Sequence, residues 1–273
     1  MATESSSDLP SETRVGEGAE GFPHASHYPI VLAIGLGLLT VGAIGHLLVL
    51  GVGVVVFAYG ALGWAHDYAV VDYARGVVPE QKTWRNLGYD SGTVAIGLII
   101  VSEIMVFGSL FASYFALDSH GGPWPPAGMP SPDLGLAIVL AGVLLASGLT
   151  LHWAQVSMER GDRRKFWTGL VSTVVLGLVF LVGQGYEYSS LFAEGLTPQS
   201  GPFGSAFFAL TGTHGLHVVV GLLLIGAIAV RARVFGHFGE ERNLMVRTIT
   251  AYWHFVDAVW LFIVAFVYLN LAA

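Results

Sequence analysis

Residues 28–64 read YPIVLAIGLGLLTVGAIGHLLVLGVGVVVFAYGALGW, 37 residues without one Asp, Glu, Lys or Arg. A helix rises about 1.5 Å per residue and the hydrocarbon of a bilayer is about 30 Å thick, so roughly 20 residues make one span. The stretch is too long for one comfortable span and long enough for two, with a tight hairpin near Gly45–His46. Its division decides the fold. Five further apolar stretches, residues 92–116, 134–157, 166–189, 203–230 and 248–271, each read as a single helix. The chain therefore has seven spans if 28–64 is a pair, and six if it is not.

The basic residues choose between the two. They are Arg14; Arg75, Lys82 and Arg85; Arg160, Arg163, Arg164 and Lys165; and Arg231, Arg233, Arg242 and Arg247. The segments around residue 45, at 117–133 and 190–202, and at the C-terminus carry none. Basic segments stay cytoplasmic, and seven spans place all 12 Lys and Arg on that side. Six spans would set the Arg75–Arg85 loop opposite the other two basic loops. The expected topology is seven helices, N-terminus inside and C-terminus outside, in the plasma membrane of a prokaryote.

Composition agrees. Hydrophobic residues make up 54% of the 273 and charged residues 11%, where a soluble domain carries about 25% charged. The net charge of −7 and the lack of any long basic run argue against nucleic acid as a partner. With no cysteine, disulfides, thiolate zinc sites, iron–sulfur clusters and cysteine-ligated copper are excluded within this chain. Residues 1–27, rich in Ser, Glu, Gly and Pro, are expected to be a solvated tail without the basic start and cleavage site of a secretory signal. Residues 28–273 form the membrane domain, with helices 1–2 over about 28–64 and helices 3–7 over about 92–271. Many of the 36 glycines fall in the spans, Gly35, Gly37, Gly42, Gly45, Gly51 and Gly53 in the first pair, where small residues let helix backbones approach closely.

An ionisable group within a span is costly, and each is a candidate for function. Glu103 sits mid-span in SEIMVF (102–107), and Glu187 follows Gln184 near the end of span five. His214 and His217 lie three apart in TGTHGLH (211–217), and His254 and Asp257 do the same in YWHFVD (252–257). Such spacing places each pair on one helix face. Three readings stand. Histidines on two helices can ligate haem iron, though two at i, i+3 cannot serve as both axial ligands of one iron. Glu103, His214, His217, His254 and Asp257 can line a proton or ion path. They can equally form a hydrogen-bond network tying spans three, six and seven, since lipid offers polar groups no water. Nothing supports nucleophilic or acid–base catalysis, and no metal-ligand set stands out.

At these residues the sequence resembles cytochrome c oxidase subunit III, from about Trp64 to Leu271. The motifs run in the family's order: Ser102-Glu103 with Phe107 and Tyr114-Phe115; Trp124-Pro125-Pro126 with Gly128; Gly148 through Trp153; and Glu187-Tyr188. They continue with Gly204-Ser205 and Phe207-Phe208, Thr211-Gly212 with His214-Gly215-Leu216-His217-Val218 and Gly221, and Tyr252 through Asp257 with Val259-Trp260. The resemblance implies an all-α polytopic protein whose helices 1–2 form a V against helices 3–7, with phospholipid in the cleft. It implies a subunit with no haem or copper of its own, packed beside the catalytic subunit I, with subunit II receiving electrons. Such a subunit sustains proton uptake and protects the enzyme during turnover. Glu103 matches the glutamate that reacts with a hydrophobic carbodiimide, and Arg231 the arginine that contacts lipid phosphate.

Two departures bear on the lipid site. The family usually reads Trp-Trp-Arg-Asp after span two, with a glutamate soon after. Here the stretch is Trp64-Ala65-His66-Asp67, and Val71 stands at the later position. Trp64 and Asp67 remain as lipid-site candidates. The rival from another class is a stand-alone proton-coupled transporter, which discontinuous helices in inverted repeats would favour; the sequence shows no such symmetry. Quinol oxidases carry a related subunit III, commonly with only the last five spans, so seven spans favour the cytochrome c branch. Protease mapping checks the topology: a tag at Met1 should lie inside and one at Ala273 outside, and both on one face would refute seven spans.

Overall fold

A computed structural model describes residues 26–67, 91–119, 122–235 and 244–272. Most of the amino-terminal segment, and the basic residues Arg14, Arg75, Lys82, Arg85 and Arg242 together with Val71, lie outside those residues. Among the described residues seven helices follow in order: α1 (Tyr28–Gly45), α2 (Leu47–His66), α3 (Ser91–Asp118), α4 (Leu134–Glu159), α5 (Arg163–Ala193), α6 (Pro202–Val230) and α7 (Leu244–Ile263). A wider π turn carries α6 on through Arg231–Phe235, and another carries α7 through Val264–Tyr268 into Leu269–Ala272. No strand occurs among the described residues. Helices α2 to α7 are long and apolar enough to cross a membrane; the apolar run of α1, Tyr28–Leu39, is shorter. At 18 residues α1 spans about 27 Å.

The chain divides into two compact units, Met1–Glu80 and Gln81–Ala273. In the first, the chain turns between α1 and α2 at His46, whose backbone is extended (φ −159°, ψ 121°). Its Nδ1 accepts from the Leu48 N–H at 3.4 Å, so the histidine caps the helix it begins. Glycines form the seam: a Cβ at Gly35 or Gly42 on α1 would overlap the backbone of Phe57 or Leu50. One at Gly53 or Gly60 on α2 would overlap that of Leu39 or Leu32. Each pair is spaced by seven residues, so one narrow stripe on each helix meets the other backbone to backbone. Near the hairpin's open end, the Ser26 hydroxyl donates to Asp67 Oδ2 at 3.1 Å.

In the second unit α7 is the axis, packing on α3, α4 and α6 and reaching α5 through side chains. Trp253 fixes this arrangement. Its indole N–H donates to Ser147 Oγ of α4 at 2.9 Å, its ring lies where a Cβ at Gly221 of α6 would stand, and its edge comes within 3.2 Å of where one at Gly177 of α5 would be. One fully buried side chain on α7 thus registers three other helices. Trp260, Phe180, Phe203, Phe207 and Tyr268 complete the buried aromatic core. Helix α3 is peripheral, burying only Phe107 and Tyr114 among its hydrophobic residues.

The turn before α5 lies outside the spans. There the Asp162 carboxylate accepts from the Lys165 N–H at 3.1 Å and pairs with its ammonium at 2.8 Å. Lys165 holds this carboxyl below its ordinary range. The small stabilisation is therefore present above the unfolded carboxylate pKa and fades as pH falls through the lower folded value.

The glycine seam makes a sharp comparison. Gly42→Ala should lower thermal stability by about 1–3 kcal/mol, since backbone atoms cannot yield. Gly37→Ala, with nothing within 4 Å of its Cβ, should be neutral or gain the roughly 1 kcal/mol of helix propensity that alanine holds over glycine. Equal melting temperatures for the two variants would count against the seam.

Candidate functional site

The intramembrane polar residues of the second unit fall into separate clusters. In the first, Glu103 of α3 faces His217 of α6, with Oε2 and Nε2 3.0 Å apart. The other ring nitrogen, Nδ1, lies 2.8 Å from the Thr213 carbonyl one turn back. A carbonyl only accepts, so Nδ1 carries a hydrogen. The short contact at Nε2 then needs one proton between the partners. Either a protonated Glu103 donates to a neutral ring, or a protonated ring donates to the carboxylate. In both cases the pair is neutral overall, which is what lipid favours. The Tyr252 hydroxyl of α7 donates to the His217 carbonyl at 3.2 Å, and Phe107 packs 5.0 Å from the His217 ring. His217 therefore ties α3, α6 and α7 together. The pair is partly exposed, His217 by 16% and Glu103 by 25%.

His214, one turn earlier, has different surroundings. It is fully buried, stacked on Trp260 at 5.0 Å with the Phe180 ring edge-on at 5.6 Å. Neither ring nitrogen has a hydrogen-bond partner among the described residues. The i, i+3 spacing brings the two histidines to adjacent sectors of α6, yet one enters an aromatic core and the other meets α3.

His254 and Asp257 lie against α4 rather than α3 or α6. Asp257 is buried, and its Oδ2 sits 3.5 Å from His254 Nδ1, a long contact. That carboxylate occupies the space a Cβ at Gly148 would fill. His254 turns outward, with 45% of its side chain exposed, and its ring centroid is 6.2 Å from that of His152 on α4. The sequence reading grouped these two with Glu103, His214 and His217; here they form a cluster of their own.

A further buried cluster lies towards the end of α5. Glu187 Oε2 accepts from Gln184 Nε2 at 2.8 Å and from the Tyr268 hydroxyl of α7 at 2.7 Å. The neighbouring Tyr188 and Thr211 hydroxyls are 2.7 Å apart, linking α5 to α6. The Gln184/Glu187 spacing is legible in the sequence; Tyr268, 81 residues on, carried no signal beyond being aromatic. Sequence reasoning also passed over Ser147, Thr213 and His152. Only His152 had a mark, a lone imidazole in an apolar helix.

The lipid candidates fall in both units. Arg231 opens the π turn at the end of α6 and directs Nη1 to Met245 Sδ of α7 at 3.6 Å. Trp64, half-exposed, and Asp67 stand at the end of α2. Among the described residues no three His, Asp or Glu side chains are grouped to hold a metal ion.

Long apolar helices carrying few ionisable groups define a multi-pass helical membrane protein. The family model for cytochrome c oxidase subunit III matches residues 23–271, reaching further towards the amino terminus than the motifs do. The cytochrome c oxidase subunit 3 of Synechocystis sp. is 39% identical over 174 residues, covering 63% of this chain and 72% of its own. That of Pan troglodytes is 32% identical over 232 residues, covering 77% and 87%. That of Thermostichus vulcanus is 34% identical over 180 residues, covering 64% and 86%. The chain belongs to the cytochrome c oxidase subunit III family, and is an accessory membrane subunit of that haem–copper oxidase complex.

The Glu187 cluster is testable apart from any redox activity. Tyr268→Phe removes one of two donors to a buried carboxyl and should cost about 1–3 kcal/mol in thermal stability. Tyr186→Phe, at an exposed position on the same helix as Glu187, should change nothing.

Proposed function

We propose that the chain is a cofactor-free subunit III held beside subunit I, with subunit II in the same complex, in a prokaryotic plasma membrane with its N-terminus cytoplasmic. In this reading its intramembrane polar residues anchor helices and sustain proton uptake indirectly, by stabilising the catalytic subunit. The observation that carries the reading is the closed Glu103–His217 pair. One proton suffices for it, His217 Nδ1 is already committed to the Thr213 carbonyl, and the surrounding Phe107 and Phe255 are apolar. A proton carrier would need polar side chains in file across the span. The neighbouring His214 stands instead in an aromatic cage, and His254 and Asp257 face α4. The same separation weighs against a stand-alone proton-coupled transporter.

The outward His254 supports a protein neighbour. A half-exposed imidazole deep within a span is costly against hydrocarbon and tolerable against another subunit's polar groups. Arg231, at the end of the α6 span, is suited to a phospholipid phosphate, which a guanidinium grips bidentately. Trp64 and Asp67 are assigned to lipid contact at the end of α2.

Glu103→Gln tests the anchoring role. Glutamine can donate to His217 Nε2 but cannot pass a proton, so oxygen reduction and proton pumping by the intact complex should stay near normal. Glu103→Ala leaves His217 Nε2 without its partner and should loosen subunit association by about 1–3 kcal/mol. Loss of pumping in Glu103→Gln with the complex intact would move Glu103 into the proton path. Separately, Arg231→Ala should lower the phospholipid retained by the purified complex and hasten inactivation during turnover; unchanged phosphorus content would remove Arg231 from the lipid site.

A further inference from the structure

On α7, Ala251, His254, Ala258, Leu261 and Ala265 recur at alternating intervals of three and four, so they share one helix face. Ala251 is half-buried and the other four are exposed. We infer that this face, with His152 of α4 beside it, docks a membrane-spanning helix of another chain of the oxidase complex, and that this helix offers a hydrogen-bond acceptor to His254 Nε2. The inference rests on the reading of His254 as facing a protein neighbour, and adds the docking face, the chemistry of the partner and the direction of the bond.

Asp257 sets that direction. Its side chain is only 5% exposed, and Oδ1 has no hydrogen-bond partner among the described residues. A hydrogen on Oδ1 would be a stranded donor, so the hydrogen of this pair lies between Oδ2 and His254 Nδ1, 3.5 Å apart. Lipid favours a pair without net charge. Either Asp257 is protonated and Nδ1 accepts, or the ring is protonated and the carboxylate accepts. In both arrangements the other ring nitrogen, Nε2, carries a hydrogen and needs an acceptor. Helix α4 is shaped to hold the pair, since a Cβ at Gly148 would overlap Asp257 Oδ2 and stand 3.2 Å from His254 Nδ1.

Depth names the class of partner. His254 lies six residues, about 9 Å, inside the apolar stretch that starts at Thr248. His152 lies seven residues, about 10 Å, before the end of α4 at Glu159, and the two ring centroids are 6.2 Å apart. At that level a phospholipid presents methylene groups, which accept no hydrogen bond. A helix carrying Ser, Thr, Asn or Gln does supply an acceptor there. The alanines fit the same partner, because small residues let two backbones approach closely where nothing else drives helices together. The exposed face of α5 is built differently, with Val171, Val175, Leu178 and Val182, bulky side chains suited to lipid.

The test uses the purified intact complex with a benzophenone amino acid at position 258. Ultraviolet light should attach it to a membrane-spanning peptide of another oxidase subunit, identified by mass spectrometry, while the same group at position 175 on α5 should capture lipid. His254→Leu should raise the fraction of this chain lost in a detergent wash about tenfold, and His254→Gln, whose amide still donates, should restore most of the retention. Ala258→Leu, which leaves Asp257 and His254 in place but blocks close approach, should also weaken retention. Replacing the acceptor in the captured peptide should reproduce the His254→Leu loss and add nothing to it. Lipid alone captured at position 258 overturns both the inference and the protein neighbour on which it rests. A captured subunit with retention unchanged in His254→Leu keeps the neighbour and overturns the hydrogen bond. Capture of a second copy of this chain overturns the assigned partner.

Discussion

The second unit depends on the side chain of Trp253. Lipid supplies no hydrophobic force between helices, so close packing and interhelical hydrogen bonds must hold them. Trp253 combines both. Its indole N–H is taken by Ser147 of α4, and its ring fills space left by Gly221 of α6 and lies close against Gly177 of α5. The surrounding contacts follow from this placement. With α7 held in register, Tyr252 reaches the His217 carbonyl on one side, Asp257 enters the space at Gly148 on the other, and Tyr268 meets Glu187 further along.

The same scarcity of partners shapes the ionisable groups. A charge alone in hydrocarbon is untenable, and pairing Glu103 with His217 leaves a neutral unit that still offers directional bonds to α3 and α6. Glu187 draws on Gln184 and Tyr268 in a similar way. Such closed clusters suit the helix-anchoring role proposed for these residues. They divide the polar residues among separate helix contacts instead of stringing them across the membrane.

The architecture was legible because it rests on length and charge. Thirty-seven uncharged residues are too long for one comfortable span, the expected grouping of basic residues on one side called for a pair, and the chain does turn near the expected Gly45–His46. The site was legible only in part. Helical spacing correctly put His254 near Asp257, and mid-span position singled out Glu103. Spacing says nothing of which helix lies opposite, so the separate fates of His214 and His217, and the turn of His254 towards α4, were out of reach. Ser147 and Trp253 are 106 residues apart, and neither serine in a helix nor tryptophan in a core is unusual by itself. The glycines were read as packing residues; which of them touch backbone and which face open space depends on helix phase in three dimensions.

The central claim is that this chain works as a non-redox member of an oxidase. The most direct measurement is the visible spectrum of the affinity-tagged chain, purified first in mild detergent and again after its partners have been stripped. A haem Soret band and co-purifying subunits are expected in the first preparation, and a folded, helical chain with no Soret band and no stoichiometric copper in the second. A chain that purifies alone from the mild detergent, or a haem band that survives removal of every partner, would contradict it.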